Sequence, residues 1–116
     1  MTLAAWLDRH TAAAPPVLRS RVREYALGRA PEGRDDGPDH GPDDGPADTP
    51  PAELLAHAGH RALDQVVAHP GDRSVALDLL AADALITLAL LAQAETRPAD
   101  LDAFAASLLQ AARPGT

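Results

Sequence analysis

The chain has 116 residues, room for one domain and too few for a large two-domain enzyme. It has neither cysteine nor lysine. That excludes disulfides, thiolate metal sites and Cys nucleophiles, together with Schiff-base chemistry and the lysine-dependent phosphate loop. The net charge is −7, an acidity that argues against general nucleic-acid binding.

The first ten residues, MTLAAWLDRH, lack a charged stretch followed by an apolar run. They do not read as a secretory signal, and a cytoplasmic location is the expectation. Thr2 to about Ala13 reads as a first helix, with Leu3, Trp6, Leu7 and His10 on one face. Trp6 is the expected anchor against the core. His10 on that face reads as a partly buried, hydrogen-bonded histidine.

Pro15 and Pro16 break the chain, and Pro16 suits the first turn of a second helix. That helix is expected to run to about Leu27 and stop at Gly28. Its apolar stripe is Leu18, Val22, Tyr25 and Ala26. Arg19, Arg21 and Arg23 make it the basic surface of the protein, a candidate interaction surface or a solvated face.

Residues 31–50 carry seven carboxylates against Arg34 alone, so most of the negative charge is here. The run DDGPDHGPDDGPAD is an imperfect repeat of Asp and Gly-Pro. Gly and Pro oppose regular structure, like charges repel, and no large apolar side chain is present, so a disordered acidic linker is expected. Its spacing does not match the calcium loop of an EF-hand.

Thr49-Pro50-Pro51 reads as a helix start with a capping hydroxyl. The helix is expected to run to about Ala68, before Pro70-Gly71, with Leu54, Leu55, Ala58, Ala62, Leu63, Val66 and Val67 as its stripe. Glu53, His57, His60 and Asp64 line up on the opposite face. His57, His60 and Asp64 are of ligand type for zinc, but one straight helix cannot surround a tetrahedral ion. Pairing of acid with His along a solvated face is the plainer reading.

Ser74 to Ala94 is the most apolar stretch and the expected central helix, with Asp72 or Ser74 as its cap. Its nine large aliphatic residues point in nearly every direction, so several neighbours must cover it. Asp78 and Asp83 oppose a membrane span. Each costs about 2.5–3.5 kcal/mol at mid-span, against a gain of about 0.3–0.6 for each aliphatic residue. Asp83 stands among alanines with Thr87 one turn on. The two form a candidate ligand-binding pair if Asp83 is buried with a raised pKa; otherwise Asp83 is paired with an Arg or faces solvent. After a turn at 96–97, Pro98 starts the last helix, with Leu101, Phe104, Ala105, Leu108 and Ala112 as its stripe.

The run VALDLLAADALITLALLAQAE, residues 75–95, resembles a helix of the trans-polyprenyl diphosphate synthases. Asp35, Asp36 and Asp39 also have the DDxxD spacing by which that family holds magnesium and diphosphate. The resemblance implies a degenerate or accessory relative. The second aspartate-rich motif and the diphosphate-binding lysines are missing, so no catalytic role carries over to a residue of this chain.

The sequence therefore predicts one all-α domain over residues 1–116. It is a small antiparallel bundle of four to five short helices, with the acidic Gly/Pro/Asp loop between the second and third. An Ala-rich core with three aromatic residues buries little area per residue, which favours a homo-oligomer or a protein partner. The expected function is a non-catalytic interaction or accessory protein without a cofactor. A helical binding protein for an apolar ligand or metal is the alternative. Deleting residues 33–47 is expected to leave the melting temperature nearly unchanged; a drop of several degrees in a thermal melt would show that the segment is packed.

Overall fold

The computed structural model describes residues 2–28 and 49–112, and over them the chain is all-α, as the periodicity predicts. In order, α1 is Leu3–His10, α2 Pro16–Leu27, α3 Pro51–Ala68, α4 Val75–Thr96 and α5 Leu101–Ala112. A single 3-10 turn, Pro98–Asp100, leads into α5. The acidic linker lies outside the described residues except for Thr49 and Pro50, as do Asp35, Asp36 and Asp39.

Local chemistry sets most of the boundaries. The Thr2 hydroxyl accepts from the Ala5 N–H at 3.0 Å and starts α1. That helix stops at His10, short of the expected Ala13. The Thr11 hydroxyl and amide both turn back to the Leu7 carbonyl, at 2.7 and 2.9 Å, and close the end. Gly28, at φ 61°, supplies the left-handed stop of α2.

The two expected caps on α3 and α4 take another form. No side chain caps α3; the Pro50 carbonyl accepts from the Glu53 and Leu54 amides instead. Asp72 Oδ1 accepts from the Ser74 amide at 3.1 Å and the Ser74 hydroxyl at 3.0 Å, closing a local turn before α4. Those two donors favour the charged form and hold the Asp72 carboxyl below its ordinary range.

Helices α3 and α4 form the closest pair and run antiparallel. Pro51 lies near Ala92 and Thr96, Gly59 meets Leu85 and Ile86, and Gln65 shares a cavity with Asp78. The seam is built of small residues, with Ala52, Ala58, Ala62, Ala81 and Ala89 all buried. A Cβ added at Gly59 would lie 2.7 Å from Ile86 Cδ1 and 3.0 Å from its Cγ1, so the absent side chain is what lets α4 approach. Leu7, Val22, Leu55 and Leu85 are the largest fully buried side chains, and they come from four different helices.

Burial on α3 differs from the expected stripe. Val67 is exposed, while Ala56 and Gly59, outside the stripe, are buried. Gly59 is covered by Leu85 and Ile86 of α4, and on the Ala56 and His60 side Phe104 and Leu108 of α5 partly cover what reads in the sequence as a solvated face.

Leu85→Ala removes a side chain with no exposed surface at the centre of α4. It is expected to cost about 2–5 kcal/mol. Urea unfolding measures this, and a change below about 1 kcal/mol would place α4 at the surface.

Candidate functional site

Asp78 is the better-connected of the two α4 carboxylates. Its side chain is only 13% exposed. Oδ1 accepts from Arg21 Nη1 at 2.6 Å and from the Tyr25 hydroxyl at 2.9 Å. Arg21 and Tyr25 are four residues apart, on one face of α2. Arg21 also meets Glu24 at 3.5 Å, and Arg61 of α3 donates to the Tyr25 carbonyl. A cavity of about 420 Å³ opens beside this cluster, bordered also by Gly28 and Gln65. Burial pushes the Tyr25 hydroxyl up to about 12, helped by the hydrogen bond to Asp78 and its negative charge. With one carboxylate oxygen holding two donors, the cluster clamps α2 to α4. Its one hydroxyl–carboxylate pair, Tyr25 with Asp78, is shared with the Arg21 guanidinium.

Asp83 occupies a different position from the buried carboxylate considered above. It is exposed, as is Thr87. Five residues separate Asp83 from Asp78, about 140° around a helix, so when one faces α2 the other faces outward. The outward sector spans about 120° and contains Ala76, Leu79, Leu80, Asp83, Thr87, Leu90, Leu91 and Ala94. Leu80 is 54% exposed, Leu79 49% and Leu91 38%; Leu90 and Ala94 are half-buried. Asp83 and Thr87 are thus two polar residues in an otherwise apolar, uncovered stripe.

The histidine face of α3 does not converge on an ion. His57 and Asp64 are exposed, His60 is half-buried, and no three His, Asp or Glu side chains among the described residues are grouped to hold a metal. His60 Nε2 is buried without a hydrogen-bond partner. It borders an open groove of about 340 Å³ between α3 and α5, with His57, Phe104 and Ser107.

The remaining candidates are engaged in holding helices together. Arg21 is in the Asp78 clamp, Arg23 pairs with Asp8 of α1, and Arg19 has no ion pair among the described residues. Trp6 stacks on His10, ring centroids 4.0 Å apart, and its indole N–H donates to Glu95 at 3.1 Å. His10 Nδ1 donates to the Trp6 carbonyl at 2.9 Å, and its Nε2 lies 3.6 Å from Glu95. These contacts anchor α1 to the end of α4, the role expected of Trp6.

No family model, no curated protein and no solved structure matches the chain. The likeness of residues 75–95 to a prenyl-synthase helix therefore stays a likeness of one helix.

Sequence reasoning singled out Asp83 and passed over the Asp78 clamp. Its signal was present: a charged residue in the first turn of an apolar helix, and an Arg and a Tyr spaced four apart in a helix that must pack on it. Tyr25 is the one tyrosine, so its phenolate absorbance titrates alone. The folded pKa lies above the ordinary value of 10.0, so the stabilisation from this group is complete below pH 10 and is lost as the pH rises toward 12. Asp78→Asn is expected to bring the absorbance midpoint down toward the ordinary value and to cost about 1–3 kcal/mol of stability. An unmoved midpoint would remove Asp78 as a cause.

Proposed function

We propose that this chain is a non-catalytic helical interaction protein whose docking surface is the outward face of α4. The observation that carries the reading is that uncovered stripe. Three leucines exposed by 38–54% lie in one sector of the most apolar helix. A scattered exposed leucine needs no explanation, whereas several in one sector of one helix make a face that a partner can cover. The Ala- and Gly-built core supports the same reading, because a small domain with little buried area gains stability from a partner.

Asp78, the less exposed of the two α4 carboxylates, spends one oxygen on Arg21 and Tyr25, and a clamp between α2 and α4 accounts for all three side chains. Arg21 and Arg23 of α2 serve α4 and α1, which weakens the case for an anion-binding surface. A second reading, a small-ligand groove between α3 and α5, has one observation in its favour, the unpartnered His60 Nε2.

Native mass spectrometry of the protein purified from its source cells separates these readings. The expected result is a higher-mass assembly, of this chain alone or with another protein, that Leu80→Glu abolishes while the helical circular-dichroism spectrum is kept. A monomer of 12.1 kDa without added mass would overturn the docking reading. A monomer carrying a small added mass would favour the groove instead.

A further inference from the structure

The outward sector of α4 reads the same in both directions at all but one of its mirror pairs. About Leu85 as centre, Ala76 mirrors Ala94, Leu79 mirrors Leu91, Leu80 mirrors Leu90, and Asp83 mirrors Thr87. All eight residues of the sector fall into these four pairs. Ala76, Leu80, Asp83, Thr87, Leu90 and Ala94 are also spaced alternately by four and three, the spacing of a seam between two packed helices. Leu79 and Leu91 flank it. Leu85 itself points the other way, fully buried in the core.

We infer that the occupant of this face is a second copy of the chain, with the two α4 helices packed antiparallel about a two-fold axis level with Leu85. The inference rests on the docking reading and names its partner. An isologous interface requires a self-complementary patch, in which residue i meets residue j and j meets i. The mirror pairing supplies it: each layer across the axis joins Ala to Ala, Leu to Leu, or Asp to Thr.

The polar layer distinguishes a copy of this chain from other occupants. Asp83, when ionised, only accepts hydrogen bonds, and a threonine hydroxyl donates one. In the antiparallel register they share a layer twice, once on each side of the axis. In a parallel register Asp83 would face Asp83, and like charges would oppose the pair. Residues 29–48 and 113–116 contain no large apolar side chain that could serve as an alternative occupant. One helix face per protomer presents fewer residues than the roughly 20–30 of a standard interface, so affinity in the micromolar range is expected.

The chain has no cysteine, so introduced thiols are unique. Asp83→Cys and Thr87→Cys, one carrying a mass tag, would be mixed under mild oxidation. In the proposed register their Cα atoms lie about 5 Å apart across the axis, against about 7–8 Å for either residue and its own copy. The mixed covalent pair is therefore expected severalfold over each self-pair. Sedimentation velocity of the unmodified chain should show a dimer forming between about 1 µM and 1 mM. Leu80→Glu should abolish the dimer while the helical circular-dichroism spectrum of the monomer is kept.

A monomer throughout that range, or self-pairs in excess of the mixed pair, would overturn the inference. So would binding of the monomer to phosphatidylcholine vesicles that Leu80→Glu abolishes, since a lipid surface would then be the occupant. If the assembly from source cells contains a different protein and Leu80→Glu still dissolves it, the second copy is excluded while the docking reading stands.

Discussion

A helix that is apolar on every side has no face of its own to bury. Its rotation must be fixed by the polar groups it carries and by the shape of its neighbours. In α4 both act. Asp78 turns toward α2 because Arg21 and Tyr25 converge on one of its oxygens. Gly59 leaves the gap into which Leu85 and Ile86 settle. Once those contacts are made, Ala81, Ala82, Leu85, Leu88, Ala89, Ala92 and Gln93 face inward, and the opposite sector is left outside. Asp83 is exposed for the same reason that Asp78 is held.

The core reached in this way is close-packed but thin. Of its fourteen buried hydrophobic residues, eight are alanine, and the largest side chains are supplied one per helix by α1 to α4. Each alanine removes little apolar surface from water, so the domain depends on many short contacts between backbones. Against that background the three exposed leucines on one face of α4 are apolar surface that a partner could still bury.

Helix positions were legible in the sequence where local chemistry decides them: Pro16 and Gly28 around α2, Pro51 and Pro70 around α3. They were less legible at the end of α1, which stops at His10. Burial was legible for Leu55, Ala58, Ala62 and Leu85, whose spacing points them at one another. It was misread for Val67, at the α3 terminus beyond the reach of a neighbour, and for His60, because the sequence does not say that α5 crosses that side. Asp78 and Asp83 differ in burial only because α2 sits where it does. No periodicity within α4 distinguishes them, since apolar residues surround both. The outer stripe was legible as residues but not as a surface, because its exposure depends on which half of α4 the other helices leave bare.

A seam made only of leucine and alanine would pair in either direction and in several registers. It would also let a helix of this length and composition partition into a bilayer. Asp83 acts against both. A carboxylate near the middle of a span costs about 2.5–3.5 kcal/mol, and an α4 helix entering lipid would also strip Asp78 of Arg21 and Tyr25. Across a pair of α4 helices the same charge opposes the parallel arrangement, where it meets its own copy, and favours the antiparallel one, where it meets a hydroxyl. A single polar residue in an apolar seam lowers its affinity and narrows its geometry, and in α4 it does so on the face that the fold itself leaves uncovered.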